Sequence, residues 1–283
     1  MKYIRIIPKL DVKGDNLVKG IHLEGLRVLG KPSNFVKYYA ENGADEIIYN
    51  DVVASLYGRN GLLDLISFTA KECSIPITVA GGIRKIDDIK NVLKAGADKV
   101  AINTAAIDDI NFISNAVNIF GSSTIVITIE SSFYNDKFMV FTNNGREYTG
   151  LSVLEWIQII QERGAGEILL TSIDNEGTGK GFNEDLIEVV KDKIKIPLIV
   201  HGGAKTPEDI IILNKKFKID SFSISSMLHY NFIKKNNDEI QNFELGNTSF
   251  LQSKEIFKEF GEYSIKSIKD ELSKSNINIR NIW

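Results

Sequence analysis

Two acidic residues stand at the ends of apolar runs 119 residues apart: Asp11 after IIPKL and Glu130 after IVITI. Opposed carboxyl groups suit general acid–base chemistry, one giving a proton while the other removes one. Two glycine pairs repeat at a similar spacing. Gly81-Gly82 follows ITVA, and Gly202-Gly203 follows LIVH 121 residues later. Beyond each pair, a polar couple ends the next apolar run, Asn103-Thr104 in one half and Ser225-Ser226 in the other. Glycine lets the backbone approach an anion closely, and hydroxyls and helix N-termini donate to it. Each set therefore reads as a phosphate cradle, although any one glycine pair serves a tight strand-to-helix turn equally well. Two cradles suggest an elongated substrate with a phosphate at each end. The three histidines are scattered and form no ligand cluster with the acids, so no metal is expected.

The elements that must position these residues follow from the hydrophobic pattern. Short runs rich in Ile and Val occupy 4–10, 46–50, 77–80, 100–103, 124–129, 167–171, 198–200 and 221–225. Near-continuous apolar runs of this length are how buried parallel strands read. The segments between them carry helix punctuation. Ser33 precedes FVKYYAEN and Gly43 closes it. Ser152-Val-Leu-Glu155 is a capping box, and Gly164 ends the helix it opens. Thr206-Pro207-Glu208-Asp209 supplies an N-cap, a proline at the first helical position and first-turn acids. Eight strands alternating with helices predict an α/β fold, a (β/α)8 TIM barrel, with a doubly wound sheet as the alternative. The halves also resemble each other. GADEIIYND (43–51) parallels GAGEILLTS (164–172), and IPITVAGGI (75–83) parallels IPLIVHGGA (196–204). An internal repeat of this kind predicts two four-stranded half-barrels, with features at the strand ends in opposed pairs.

With 283 residues, 43% of them hydrophobic, the chain has the material for a sizeable core. A net charge of −3 argues against a general nucleic-acid binder. The single cysteine, Cys73, excludes an internal disulfide and reads as a small buried residue. Nothing reads as a signal peptide, and no apolar run approaches the roughly 18 residues of a membrane span, so a cytoplasmic protein is expected.

A third charged group lies at the strand starts. Arg5 is six residues before Asp11, so strand alternation turns both into the barrel. Glu46, Lys99 and Glu167 open three other strands, and with Arg5 they form a candidate salt-bridged ring at the barrel floor. By residue type alone, such a ring is a structural plug. Residues 12–32 read as a long lid loop that contains Lys19, a candidate phosphate clamp. FMVFT (138–142) followed by Asn143-Asn144-Gly145 reads as a small hairpin. His201, beside the second glycine pair, is the histidine best placed to touch substrate. The whole chain, 1–283, is expected to form one barrel domain, with an insertion at about 231–262 and a last helix at about 264–275.

On these residues the chain resembles the cyclase subunit of imidazole glycerol phosphate synthase, the HisF family. The marks are LDVKG (10–14), VKG (18–20), GGI (81–83), GADKVAINTAA (96–106), FMVFT (138–142), RGAGEILLTSID (163–174) and GT (177–178). The resemblance implies a heterodimer in which a HisH-like glutaminase docks at the barrel floor and supplies ammonia. The ammonia is used on a bisphosphorylated ribulosyl-formimino aminoimidazole carboxamide ribonucleotide. The products are imidazole glycerol phosphate and aminoimidazole carboxamide ribotide, formed without a cofactor. It also implies a catalytic role for Asp11 with Glu130 as its opposite, and an ammonia gate of Arg5, Glu46, Lys99 and Glu167. Substrate phosphates would fall to Lys19, Gly81, Gly82, Asn103, Thr104, Gly177, Gly202, Gly203, Ser225 and Ser226.

The departures lie at the reaction face. Positions 130 and 176 are Glu where the family motif has Asp. His201 stands where it has serine, and the first strand reads IIPKLD in place of I-A-C-L-D. An intact gate under an altered mouth leaves a second reading, a paralog that supplies ammonia for acetamidino-sugar formation in surface-polysaccharide synthesis. A non-enzymatic ammonia conduit is the third.

Overall fold

The computed structural model describes residues 3–53, 62–236 and 260–280. Eight apolar runs pair in parallel: β1 (Arg5–Lys13), β2 (Ile47–Asp51), β3 (Ile77–Ala80), β4 (Lys99–Ile102), β5 (Ile125–Tyr134), β6 (Glu167–Ser172), β7 (Leu198–His201) and β8 (Ser221–Ile224). Each pairs with its neighbour in chain order, and β8 returns to β1 with Arg5 opposite Ser221 and Ile7 opposite Ser223. The closed ring removes the free strand edges an open sheet would leave. This is the (β/α)8 barrel that the alternation predicts, and the open-sheet alternative falls away.

The helices form the outer layer: α1 (Pro32–Glu41), α2 (Leu63–Glu72), α3 (Ile86–Lys94), α4 (Ile110–Phe120), α5 (Val153–Glu162), α6 (Glu184–Val190), α7 (Pro207–Phe217), α8 (Ser226–Lys235) and α9 (Ile265–Lys274). Their inner faces follow the helical period. In α5 the buried positions are Val153, Trp156, Ile157 and Ile160. Ser152 Oγ accepts from the Glu155 N–H at 3.3 Å while the Glu155 carboxylate accepts from the Ser152 N–H at 2.9 Å, closing the capping box. Asp209 does the same for Thr206 at the start of α7. The start of α1 differs from the sequence reading: Pro32 opens it, because its fixed φ suits a first helical position. Cys73 is buried at the C-terminal end of α2. Among the described residues no helix is long and apolar enough to cross a membrane. Of the segment 231–262, residues 231–235 continue α8, and 237–259 lie outside the described residues.

One expectation is corrected. Residues 12–32 are largely a hairpin, not an open loop: Asn16–Ile21 pairs antiparallel with Glu24–Gly30 and with the end of β1, where Asp11 faces Val18. His22 and Leu23 turn the chain with φ of 54° and 63°, the left-handed pair that a two-residue hairpin needs. Neither residue type announces such a turn. The FMVFT segment does form a hairpin strand, Lys137–Thr142, between the end of β5 and Glu147–Ser152.

Inside the barrel, alternation sorts side chains into levels. Arg5, Glu46, Lys99 and Glu167 share the floor. Ile7, Ile48, Ala80, Ala101, Val126, Leu169 and Ile199 form an apolar cluster above it. Lys9, Glu130 and His201 lie beyond, towards the C-terminal strand ends where barrel sites form. The last helix is tied to the floor by charge. Lys269, buried in α9, places Nζ 2.8 Å from Asp45, whose other oxygen accepts from the Ile6 N–H at 2.8 Å. Lys269→Met strands a buried carboxylate, and is expected to lower the unfolding free energy by about 3–5 kcal/mol. An unchanged urea midpoint would show that α9 is held by packing alone.

Candidate active site

The four floor charges close into one ring. Arg5 bonds to Glu46 at 3.2 Å and to Glu167, and Lys99 bonds to Glu46 at 3.0 Å and to Glu167 at 2.8 Å. Thr78 and Ser221 add hydroxyl contacts to Glu46 and Arg5. Each acid is shared by both bases, which is how ions taken from water can stay charged. Burial opposes the charge on Arg5 and Lys99, but the two glutamates outweigh it and raise both pKa values.

At the opposite end the two candidate catalytic carboxyls are buried and driven apart. Asp11 lies in β1 before the hairpin and bonds to the Lys9 ammonium and to Asn50 Nδ2 at 2.8 Å. Burial alone would raise its pKa, but Lys9 and Lys19 reverse this and hold it at about 2. Glu130, in β5, is pushed up to about 7 by burial. The Gly145 N–H donates to it at 2.8 Å, and Lys9 and Asn103 also favour its charged form, without cancelling the burial. Two carboxyls in one site, one ionised and one neutral up to about pH 7, can act as acceptor and proton donor together. Lys9 serves both. Its residue type alone does not mark it as functional, but it has the strand parity of Arg5 and Asp11, which turns it into the barrel. Both strands also run past these acids into hairpins, so the acids sit within strands and not at their ends.

The first cradle opens into a cavity of about 450 Å³, lined by Gly81, Gly82, Arg84, Asn103 and Thr104 and reaching Glu130. Gly81 has φ of +87°, and a Cβ there would lie 2.3 Å from the Asp51 carbonyl oxygen, so only glycine brings the backbone this close. The second cradle brings together Gly177, Gly202, Gly203, Ser225 and Ser226, but encloses only about 10 Å³. Gly203 is pressed against the Gly181 carbonyl oxygen, which a Cβ would approach to 1.9 Å. Lys19 turns away from solvent and bonds to the Glu176 carboxylate and to the Gly20 carbonyl at 2.8 Å. Burial opposes the Glu176 charge, yet Lys19 outweighs it and holds its pKa below the usual carboxylate value. His201 Nδ1 bonds to the Ser223 carbonyl at 2.9 Å, and burial lowers its pKa to about 4. His229 is buried between Tyr39 and the Lys9 carbonyl and braces β1 from outside.

A closed barrel built from two like halves, with a buried carboxyl and a glycine pair in each, defines the class: a (β/α)8 barrel protein with its candidate site at the C-terminal strand ends. The family described as histidine biosynthesis protein matches residues 5–234. A Legionella pneumophila protein named imidazole glycerol phosphate synthase subunit HisF is 52% identical over 204 residues, which are 72% of this chain and 96% of that protein. Proteins of the same name from Lactococcus lactis subsp. cremoris and an Exiguobacterium species are 42% and 40% identical, each over 80% of this chain and 88% of the relative. The chain belongs to the histidine biosynthesis protein family, in its HisF branch.

The raised pKa of Glu130 has a stability consequence. A carboxyl whose folded-state pKa exceeds its ordinary 4.5 binds its proton more tightly when folded. Its contribution is complete below pH 4.5 and is lost as pH rises through about 7. Relative to Glu130→Gln, the protein should therefore lose roughly 3 kcal/mol across that window, measured by urea unfolding at several pH values. A difference that does not vary with pH would mean that Glu130 is ionised throughout.

Proposed function

We propose that this chain is the cyclase subunit of imidazole glycerol phosphate synthase. It converts the bisphosphorylated ribulosyl-formimino aminoimidazole carboxamide ribonucleotide to imidazole glycerol phosphate and aminoimidazole carboxamide ribotide, using ammonia from a glutaminase partner. The observation that carries the reading is the split pair of carboxyls, Asp11 ionised and Glu130 neutral, beside an open anion cradle. As nitrogen adds to the carbonyl, its oxygen takes a proton and leaves as water; the same nitrogen then closes the ring on the formimino carbon, the aminoimidazole carboxamide ribotide leaves as its amine, and the ring gives up a proton. A neutral Glu130 is the donor for the first step, and its conjugate base can take a proton back in the second. Asp11, held ionised by Lys9 and Lys19, stabilises positive charge on the incoming nitrogen and orients it, with Asn50 and Lys9 fixing its position.

The floor ring fits the same reading. Ammonia entering from a partner at the strand starts would meet Arg5, Glu46, Lys99 and Glu167 first, then the apolar layer, then the carboxyls. An uncharged molecule crosses an apolar layer far more easily than ammonium does.

Two experiments test this. With the bisphosphate nucleotide and a high concentration of ammonium salt at about pH 7, where Glu130 still holds part of its proton, the purified chain should turn over without a partner. Asp11→Asn should reduce that rate at least 100-fold while the protein remains folded. Unchanged turnover would remove Asp11 from the chemistry, and neither binding nor turnover would favour the sugar-modification reading. Lys99→Ala should change glutamine-dependent turnover with the partner more than ammonia-dependent turnover, because only the former needs guided passage. Equal effects on both would remove the gate.

A further inference from the structure

The internal repeat supplies its own control for the two cradles. Ala80-Gly81-Gly82 in the first half corresponds to His201-Gly202-Gly203 in the second. Where the first half has a methyl group, the second has an imidazole, and the cavities differ accordingly, about 450 Å³ against about 10 Å³. The smaller volume suffices for about one water molecule and not for a phosphoryl group.

Three side chains fill the space. The Glu176 carboxylate, 1% exposed, sits on Lys19 and also accepts from the Leu23 N–H at 3.1 Å. It is a fixed anion at the place where a phosphate would sit. His201, 4% exposed, donates Nδ1–H to the Ser223 carbonyl, so its neutral ring turns the lone pair of Nε2 into the cradle. Among the described residues that nitrogen has no hydrogen-bond partner, and it lies 4.0 Å from Glu176. An acceptor lone pair and a carboxylate both repel a phosphate oxygen. Phe260, from the C-terminal part of the chain, closes the cradle against Gly179.

We propose that the two cradles are unequal by construction: the first is the anion site of the resting protein, whereas Glu176, His201 and Phe260 shut the second against a phosphoryl group. A ligand is then captured by one phosphate in the first cradle. A second phosphate enters only by taking Lys19 from Glu176, which makes residues 176 and 201 determinants of how well a two-phosphate ligand is told from a one-phosphate ligand. This deepens the reading of the cradles as substrate-phosphate sites and rests on it.

The test is the stoichiometry of inorganic phosphate binding to the full chain, measured by titration calorimetry. The wild-type protein should bind one phosphate per chain. Thr104→Asp, which places a carboxylate in the first cradle, should abolish that binding. The double variant Glu176→Gln/His201→Ala should bind two, and should keep one when Thr104→Asp is added. Two wild-type sites of similar affinity, no wild-type site, or a wild-type site that survives Thr104→Asp would each overturn the proposal. These three outcomes do not depend on whether the double variant folds. If it folds and still binds one phosphate, Glu176 and His201 are not the closure. Turnover of the bisphosphate nucleotide is scored separately. One phosphate site without turnover defeats the cyclase reading alone, and two equal sites with turnover defeat this inference alone.

Discussion

Eight strands closed on themselves turn every second side chain into a space that bulk water does not fill, and a charge placed there must find its counter-charge on another strand. Much of this molecule follows from that requirement. Arg5 and Lys99 meet Glu46 and Glu167 across the floor, Lys9 meets Asp11 in the throat, and Lys19 reaches Glu176 from the hairpin. Lys269 crosses from the last helix to Asp45 under the barrel. Glu130 is answered differently. The nearby ammonium of Lys9 bonds to Asp11, and Glu130 receives a backbone N–H, so burial prevails and its proton stays on up to about pH 7. The acid–base difference between the two carboxyls is thus a matter of which one holds the lysine.

The same requirement shapes the two halves unequally. The repeat supplies matching strands, turns and glycines, and both glycine pairs adopt positive φ. Side chains then separate them. The first half leaves its cradle open, with Ala80, Arg84, Asn103 and Thr104 on its lining, and the second fills its cradle with His201 and the Glu176–Lys19 pair. Duplicated architecture places the two glycine pairs alike, and single residues at equivalent positions set how much room each one has. The hairpin that carries Lys19 is part of this asymmetry, because the Glu176 carboxylate bonds both to Lys19 and to the N–H of Leu23 at its turn.

Much of this was legible in the residues, for reasons that are local. Strand alternation follows from a period of two, so Arg5 and Asp11 could be turned inward from spacing alone. Capping at Ser152 and Thr206, the apolar runs and the 121-residue repeat determined the barrel and the placing of the glycine pairs. The candidate members of the floor ring followed from charged residues at the starts of four strands. Tertiary structure alone decided the rest. His22 and Leu23 adopt left-handed φ values that their side chains disfavour, and only the packed hairpin compensates, so a loop became two strands. The protonation of Glu130, the partner chosen by Lys9 and the filling of the second cradle depend on desolvation and on charges far apart in sequence, such as the 157 positions between Lys19 and Glu176. Periodicity is written in neighbouring residues and can be read there. Electrostatics and volume are sums over everything the fold brings together, and they exist only once it has formed.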